Sequence, residues 1–568
     1  MNNNATFEQS GKSIFLRLNY LSNMVLNLIA LFNVFMFVFN VMELRQITQH
    51  HYTLITSCII IFYWITNYLK APEKIAFYDL IPDLIFIALG LFVTRSDRAF
   101  QLYILGRQTY ILIKKQAVRG ANKKFLEKLS DNPPVLVLYS FFITIFIGSL
   151  LLLLPAATAK GEETTMLGAL FTSTSATCVT GLIIYDTGTH FTYFGQLIIL
   201  FLIQVGGLGI MTISSAFAVM LGQKLSLKSE NMMQNVVGES NKLDMINLVK
   251  NIMLVTFIFE LIGAMLLYIT FAGQMFSTTK AIYYAIFHSI SAFCNAGFSL
   301  FSDSFMAYRS SFNINFVITA LIICGGIGFP VLVDIKKNFM NKFSLSRFSL
   351  HSKIVFASTL ALLVFGTVAF FISEYHSQMD GMSFKERIFA SYFQSVTTRT
   401  AGFNTIDIAQ ISKGSAFISI ILMFIGASPG STGGGLKTTT FMIIFVSVLS
   451  LFQGNRDVNI FQRKVSNEII KRVMTLIALS VSVLTIMIFL LLLFEPFGFE
   501  QLVFEAFSAF GTVGLSMGIT PSLSGFGKVI IIILMYLGRV GLLTMIYALS
   551  ANVKKTNFSY TEEKISIG

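Results

Sequence analysis

The sequence is poor in charge, and this excludes an ordinary soluble protein. Only 12% of its 568 residues are Asp, Glu, Lys or Arg, whereas soluble domains carry roughly 25%. Tryptophan is nearly absent, with Trp64 alone, while phenylalanine reaches 58 residues and apolar residues reach 54%. Apolar stretches such as 135–155, 244–273 and 473–494 exceed the ~18–20 residues that span a bilayer core. The sequence therefore predicts an all-α polytopic membrane protein.

Cysteine is also scarce, and its placement argues against a metal site. No CxxC pair and no Cys/His ligand spacing occurs among the four cysteines, Cys58, Cys178, Cys294 and Cys324, so we expect them to pack as small side chains. No HExxH or GxGD sequence is present, and we expect no enzyme activity. Residues 1–12 are polar and no small-residue cleavage site follows the first apolar run, which predicts no cleavable signal peptide.

The net charge of +13 lies in short basic clusters between the apolar runs. The main clusters are 114–128, 336–347, 456–472 and 554–555. This placement is typical of the positive-inside rule and adds contact with anionic lipid. No nucleic-acid-binding motif accompanies it, so we expect membrane lipid as a partner and no nucleic acid. Both termini are predicted to be cytoplasmic.

One short pattern recurs four times and defines four repeats. It reads TSTSATCVTGLIIYD at 172–186, HSISAFCNAGFSLFSD at 288–303, QSVTTRTAGFNTID at 394–407 and EAFSAFGTVGLSMGIT at 505–520. Its glycine recurs at intervals of 116, 105 and 112 residues, and such repetition indicates one structural unit per copy. We place an N-terminal region with a basic linker at 1–130, then pore repeats 1 to 4 at 131–230, 231–345, 346–455 and 456–568.

Each copy lies between two long apolar helices, which we call M1 and M2. The segment between them has roughly 12 residues, too few to span a bilayer, and is rich in Ser, Thr and small residues. Non-helical backbone is tolerated at membrane depth only where protein or water covers it. Basic clusters precede each M1 and follow each M2, so the units run parallel. We therefore expect four re-entrant pore loops in a pseudo-fourfold arrangement around one pore.

Four Gly-centred loops around one axis can present rings of backbone carbonyls that replace the hydration shell of an ion. Glycine permits a positive φ, which turns consecutive carbonyls toward the same axis. No loop contains a carboxylate, as a divalent-selective ring would; Asp186, Asp303 and Asp407 follow the loops and are placed to concentrate cations in an outer vestibule. The alternative is that these glycines merely allow tight turns. The candidate filter residues are Thr177, Cys178, Val179, Thr180, Gly181, Cys294, Asn295, Ala296, Gly297, Arg399, Thr400, Ala401, Gly402, Gly511, Thr512, Val513 and Gly514.

These motifs resemble the Trk/Ktr/HKT superfamily of potassium transporters, and most closely its bacterial Trk/Ktr membrane subunits. The marks are the four glycines, TTRTAGFNT at 397–405, GASPGSTGGGLKTTT at 426–440 and GRVGLLT at 538–544. The resemblance covers about residues 130–552. In that family a serine in place of the first glycine accompanies a preference for sodium. Gly181 stands there in this chain, so the resemblance implies that K⁺ is transported and bound at the filter carbonyls.

The third M2 is interrupted by a polar segment at 426–435. Five glycines and a proline cannot lie inside a stable helix, and polar backbone at mid-membrane must face a cavity. The resemblance implies an intramembrane gating loop, and a simple kink is the alternative. The loop residues are Ala427, Ser428, Pro429, Gly430, Ser431, Thr432, Gly433, Gly434 and Gly435.

The same segment comes close to the phosphate-binding pattern GxxxxGK[ST]. However, Leu436 separates Gly435 from Lys437, and membrane helices flank the segment on both sides. An ATPase is therefore excluded, and we expect no organic cofactor in this chain.

Two basic residues near the loop are candidate gate residues. Arg539 lies inside the last apolar helix, where an arginine is costly and functional by default. The resemblance implies that it forms an electrostatic barrier with the gating loop. Lys437, just below the loop, is either a second gate residue or a lysine that snorkels toward the cytoplasm.

The region 1–130 lies outside the repeats. Its apolar stretches at 20–42, 53–69, 78–94 and 99–113 predict a bundle of about four helices. Charged residues near the last two stretches are similar to those of a voltage sensor, but no arginine recurs every third residue through 99–106. Since a working sensor needs several charges in the field, we expect a structural bundle.

These features predict potassium uptake across the bacterial inner membrane through a four-loop selectivity filter with an intramembrane gate. The resemblance also implies a homodimer and a cytosolic nucleotide-binding regulatory ring of the Trk/Ktr type, with 335–353 and 454–472 as docking loops. One alternative is a Na⁺-selective or Na⁺/K⁺ symporting member of the same fold. Another is a membrane sensor or scaffold that does not conduct.

Overall fold

The computed structural model describes residues 133–209, 242–273, 277–340, 344–542 and 544–545. These lie in one compact unit, Leu129–Gly568. The helical bundle predicted for 1–130 and the boundary predicted at 230/231 lie outside the described residues. The division into domains therefore stays a prediction.

The described helices follow the repeat pattern. Repeat 1 contains α1 (Pro133–Leu152), α2 (Met166–Thr177), α3 (Thr187–His190) and α4 (Tyr193–Leu208). Repeat 2 contains α5 (Lys242–Ala272), α6 (Thr278–Phe293), α7 (Phe312–Gly326) and α8 (Phe329–Met340). Repeat 3 contains α9 (Leu350–Glu374), α10 (Phe384–Thr397), α11 (Lys413–Phe424) and α12 (Thr438–Phe452). A two-residue antiparallel hairpin, β1 (Asn459–Ile460) and β2 (Arg463–Lys464), leads to α13 (Asn467–Phe494), α14 (Phe499–Gly511) and α15 (Gly525–Val540) of repeat 4.

Three described helices are long and apolar enough to cross a membrane. They are the M1 helices of repeats 2 to 4, at Asn251–Ala272, Leu350–Glu374 and Asn467–Phe494. The pair α7 and α8 makes a fourth only if it counts as one span with a 99° bend. Large apolar side chains on these helices are exposed, for example Phe257 and Phe489, which suits contact with lipid. The predicted all-α polytopic membrane architecture is confirmed.

The pore helices α2, α6, α10 and α14 begin at capping residues and end at the filter. The hydroxyl of Thr165 accepts a hydrogen bond from the Gly168 amide at the start of α2. Ser383 and Glu386 form a reciprocal capping box at the start of α10, so two otherwise unpaired amides are satisfied. Each pore helix ends three to five residues before its filter glycine.

Each of the first three M1 helices contacts its pore helix through a glycine–serine pair. A serine hydroxyl on the pore helix donates to an M1 carbonyl three residues before the glycine. The bonds run from Ser173 to Ile145 (2.7 Å), from Ser289 to Glu260 (2.6 Å) and from Ser395 to Leu363 (2.9 Å), beside Gly148, Gly263 and Gly366. Small residues allow such close helix approach in membranes. In repeat 4, Ala506 stands at the serine position.

Replacing Gly263 with alanine should destabilise the protein. The new methyl group would lie 2.5 Å from Ser289 Oγ and 2.7 Å from Leu321 Cδ1, and overpacking of this kind costs about 1–3 kcal/mol. We expect a lower midpoint of thermal unfolding for the purified protein in detergent. Gly273→Ala is the matched control, because its nearest contact would be Thr270 O at 3.8 Å. Equal midpoints for both variants would contradict this packing.

The four repeats close into a ring. Each M2 helix contacts the pore helix of the following repeat: α4 contacts α6, α7 contacts α10, α11 contacts α14, and α15 contacts α2. Because the last repeat contacts the first, every repeat has a neighbour on both sides in the described part of the chain. This cyclic packing gives the predicted pseudo-fourfold arrangement.

Among the described residues, the M2 helices of all four repeats end or bend, whereas the sequence indicated a break only in the third. Helix α4 is capped at Gly209, α7 turns into α8 at Gly328, and α15 is capped at Gly541; all three glycines have a positive φ, of 81°, 95° and 86°. A second glycine stands three residues earlier in each of these helices. A side chain at Gly206, Gly325 or Gly538 would collide with the carbonyl of Thr177, Phe293 or Phe510 respectively, at or next to the end of the pore helix in the same repeat.

Candidate functional site

The glycines of the four repeats meet at one axis. A side-chain carbon on Gly181 would lie 3.2 Å from Gly297 Cα, and one on Gly297 would lie 3.0 Å from Gly402 Cα. The corresponding distances are 3.2 Å from Gly402 to Gly514 Cα and 2.9 Å from Gly514 to Gly181 Cα. The order 1–2–3–4–1 is therefore closed, and only glycine fits at each of these positions.

The loop backbone alternates in handedness just before and at each glycine. The glycines have φ of 91°, 71°, 78° and 92° at 181, 297, 402 and 514. The residues two positions earlier also have a positive φ: Val179 (57°), Asn295 (58°), Thr400 (71°) and Thr512 (50°). A left-handed non-glycine residue is costly and marks functional sites. Because the sign of φ alternates, successive carbonyls turn to the same side and can line the axis.

The amides of the loops point away from the axis, into the protein. The amide of Thr180 donates to Ser175 O, that of Ala296 to Ser291 O, and that of Val513 to Ser508 O, each at 2.8 Å. The Ser175 and Ser508 hydroxyls accept from the next amides, those of Gly181 and Gly514, at 3.1 Å. The third loop is one residue shorter, and there Ala401 N donates to Thr397 O at 3.0 Å. These loop amides are thus bound behind the loop, which leaves the carbonyl oxygens available to line the axis.

A vestibule opens on one side of the glycine ring. It is a cavity of about 200 Å³ lined by all four glycines. Two of the three predicted aspartates, Asp186 and Asp407, line it, while Asp303 is exposed and lies outside the lining. Asp186 caps α3 and Asp407 caps a 3₁₀ turn at Ile408–Gln410. The vestibule therefore carries two carboxylates close to the filter.

The segment Ala427–Gly435, between α11 and α12, lies at the opposite end of the filter. Gly433 and Gly434 approach the side chains of Thr400 and Thr512, which precede the filter glycines by two residues. The Thr432 hydroxyl donates to Phe293 O at 3.3 Å. The loop therefore covers the filter on the side away from the vestibule.

Hydrogen bonds tie this loop to two other repeats. The amides of Ser428 and Thr432 donate to the carbonyls of Gly326 (3.0 Å) and Gly325 (3.3 Å) in repeat 2. In repeat 4, the Gly434 amide donates to Thr512 Oγ1 at 2.9 Å and the Gly435 amide donates to Gly538 O at 3.2 Å. The acceptors Gly325, Gly326 and Gly538 belong to the M2 interruptions, which leave helix carbonyls free. The ends of the M2 helices in repeats 2 and 4 therefore receive the loop.

Arg539 joins the loop to repeat 1. Its guanidinium donates to Thr432 O in the loop and to Gly206 O in the first M2, and it reaches Gly207 O at 3.4 Å. Among the described residues it makes no ion pair. Lys437 Nζ donates to Gly433 O at 2.8 Å, so this amine lies against the loop and does not snorkel. Both predicted gate residues contact loop carbonyls.

Three of the predicted filter residues have buried side chains that lie behind the loops. Cys178, Cys294 and Arg399 occupy the same level, three residues before their glycines, and all are buried. The Cys294 thiol donates to Gln204 Oε1 at 3.7 Å. The Arg399 guanidinium points away from the axis and reaches Thr359 Oγ1 at 3.5 Å. These residues can contribute backbone oxygens to the filter while their side chains pack behind it.

Sequence reasoning missed the glycines that place the filter. Glycines of M1 and M2 recur at much the same interval as the filter glycines, so this period in the sequence was a usable signal. They are the M1 glycines 148, 263 and 366 and the M2 pairs 206/209, 325/328 and 538/541. It also missed His288 and Glu505, which bind the loops from behind. No local sequence signal distinguishes those two from other buried polar residues.

Four re-entrant loops with convergent carbonyls, enclosed by a ring of membrane helices, define a pore-loop membrane protein. The chain belongs to the TrkH family of cation transport proteins, which matches residues 104–559. The resemblance predicted from the filter and gating-loop motifs is thus confirmed.

Similar proteins match most of the chain. Ktr system potassium uptake protein B of Bacillus subtilis is 41% identical over 447 residues, which cover 78% of this chain and 99% of that protein. Potassium/sodium uptake protein NtpJ of Enterococcus hirae is 38% identical over 453 residues, with the same coverage of 78% and 99%. The crystal structure of the potassium transporter TrkH from Vibrio parahaemolyticus superposes with a TM-score of 0.60, covering 94% of this chain and 98% of that chain. At 16% identity, that likeness shows the fold alone.

Proposed function

We propose that this chain takes up potassium ions across the bacterial inner membrane. The observation that carries the proposal is the closed ring of Gly181, Gly297, Gly402 and Gly514, with left-handed backbone at each glycine and two residues before it. Such backbone presents stacked carbonyl oxygens that replace the water shell of a monovalent cation. The filter contains no carboxylate, and two relatives are named as potassium uptake proteins.

The ion passes from the vestibule through the filter toward the loop. Asp186 and Asp407 raise the local concentration of cations at the vestibule, and the carbonyl ends of the pore helices add a negative field at the filter. The vestibule faces the outside of the cell, because the basic segments between repeats lie at the other ends of the helices. Both chain termini are then cytoplasmic.

The segment Ala427–Gly435 acts as the gate, together with Arg539 and Lys437. It covers the filter exit and is held by hydrogen bonds from its amides and by two cationic side chains on its carbonyls. Because these bonds join it to the other three repeats, a movement of those repeats would release it. An ion can leave only when the loop moves aside.

A homodimer and a cytosolic nucleotide-binding ring complete the working complex. The chain has exposed basic residues on the segment that precedes α13, including Arg463 and Lys464 on the β-hairpin. Phe461 at the hairpin turn is 51% exposed, and Phe452 at the end of α12 is 85% exposed. These side chains form a docking surface for the regulatory ring on the cytoplasmic side.

Purified protein in liposomes tests this function. With K⁺ on one side and Na⁺ on the other, the reversal potential should follow the K⁺ gradient. A potential that follows Na⁺ would favour the second candidate, a sodium or sodium/potassium transporter, which the name of the Enterococcus relative supports. Absence of any cation flux would contradict the proposal.

A further inference from the structure

The pore helices share one buried polar position that the proposed filter does not use. It directly precedes the small residue that contacts M1, and it carries Thr172, His288, Gln394 and Glu505 in repeats 1 to 4. All four side chains are at most 2% exposed. Two of these side chains hydrogen-bond to the loop beyond the filter glycine. The polar atoms of the other two side chains have no hydrogen-bond partner among the described residues.

In repeat 2, His288 binds the loop through its ring. Leu300 N donates to Nε2 at 3.2 Å, and the Ser299 hydroxyl lies 3.1 Å from the same nitrogen. Nδ1 faces Tyr284 O at 2.8 Å. Since an amide can only donate, Nε2 is the acceptor and Nδ1 carries the proton. Ser299 therefore donates to His288, and its oxygen accepts from Phe301 N at 3.0 Å.

In repeat 4, Glu505 makes the corresponding contacts with different chemistry. Its carboxyl group accepts from the Ser516 hydroxyl and from the Thr520 hydroxyl, the latter at 2.9 Å. The Ser516 oxygen accepts from Gly518 N at 2.9 Å, just as Ser299 accepts from Phe301.

The two bound serines are equivalent and lie opposite each other in the ring. Ser299 and Ser516 each follow the filter glycine by two residues, and both line the vestibule. The equivalent residues of the other loops are Ile183 and Asn404, which also line it. Behind those loops the Thr172 hydroxyl and both polar atoms of the Gln394 amide have no hydrogen-bond partner. Only loops 2 and 4 are tied in this way.

We propose that His288 and Glu505 are positioning residues that set the discrimination between K⁺ and Na⁺. This inference rests on the proposed potassium filter. Gly297 and Gly514 are not neighbours in the ring, so tying their loops fixes one diameter of the filter. A ring held at the width for K⁺ cannot contract around the smaller Na⁺, and a loosened ring can.

The test measures the K⁺/Na⁺ permeability ratio of the full-length protein in liposomes, from reversal potentials. His288→Ala and Glu505→Ala should each lower the ratio about fivefold to tenfold, the effect of losing roughly one net hydrogen bond. Ser299→Ala and Ser516→Ala remove the other end of each tie and should lower it similarly, even if the pore-helix variants fail to fold. His288→Gln and Glu505→Gln keep an acceptor and should retain most of the selectivity.

Thr172→Val and Gln394→Leu are the matched controls, because they change the same position behind the untied loops. We expect their ratios to equal that of the wild type. An unchanged ratio in the alanine variants, or an equal loss in the controls, would overturn the positioning role. A loss in Glu505→Gln as large as in Glu505→Ala would also overturn it, because charge would then be the cause. A wild type without K⁺ preference would instead contradict the proposed function.

Discussion

Replacement of Gly402 with serine is expected to reduce K⁺ uptake about 100-fold, because two energetic costs combine at this position. The backbone has φ of 78°, and a side-chain carbon would lie 2.5 Å from Val513 O and 3.2 Å from the Cα atoms of Gly297 and Gly514. A left-handed non-glycine residue costs about 1–2 kcal/mol, and overpacking costs about 1–3 kcal/mol. The combined strain displaces the carbonyls of loop 3 from the axis.

Growth of a bacterium that lacks its own potassium uptake systems measures this effect at low external K⁺. The matched control is Gly381→Ser in the same repeat. Gly381 also has a positive φ, of 75°, but nothing lies within 4 Å of an added side-chain carbon. We expect wild-type growth from the control and none from Gly402→Ser. Equal growth of both variants would rule out loop 3 as part of the filter.

Removing the Arg539 side chain is expected to raise K⁺ flux through the purified protein at least about tenfold in the absence of any regulatory partner. The guanidinium donates to Thr432 O in the loop and to Gly206 O in repeat 1. Hydrogen bonds from a charged donor each contribute about 1.5–3 kcal/mol. Arg539→Ala also removes a positive charge that opposes the passage of a cation. Both losses favour the open loop.

Arg539→Lys separates the two contributions. Lysine keeps the charge but cannot reach two carbonyls with a planar fork, so its flux should fall between those of the wild type and Arg539→Ala. Tracer uptake into liposomes under a fixed K⁺ gradient gives the initial rates. A flux in Arg539→Ala equal to or below the wild-type value would contradict a gating role for this contact.

The four repeats and the glycine of each loop could be predicted from the sequence because the backbone geometry they need is local. A loop that needs left-handed backbone at one residue requires glycine there, and four copies place that glycine at Gly181, Gly297, Gly402 and Gly514. The polar interruption of the third M2 was visible for the same reason, since five glycines and a proline exclude a helix whatever surrounds them.

The interruptions of the other M2 helices could not be predicted in this way. Gly206, Gly325 and Gly538 stand in apolar sequence, where glycine is common in membrane helices. What requires glycine there is the approach of a pore-helix carbonyl 28 to 32 residues away in the chain. Equally, Asp303 follows its loop glycine by six residues and Asp186 and Asp407 follow theirs by five, but only the latter two line the vestibule.

The sequence by itself determined that the protein lies in a membrane, how many repeats it has and the backbone geometry of each loop. Composition decides the first, and the local demands of glycine decide the others. The tertiary structure alone decided which side chains meet. Arg539 and Gly206 lie 333 positions apart, and nothing in either segment indicates that they bind. Such contacts depend on closure of the ring, which brings the last M2 helix against the first repeat and places Arg539 beside the Gly206 carbonyl.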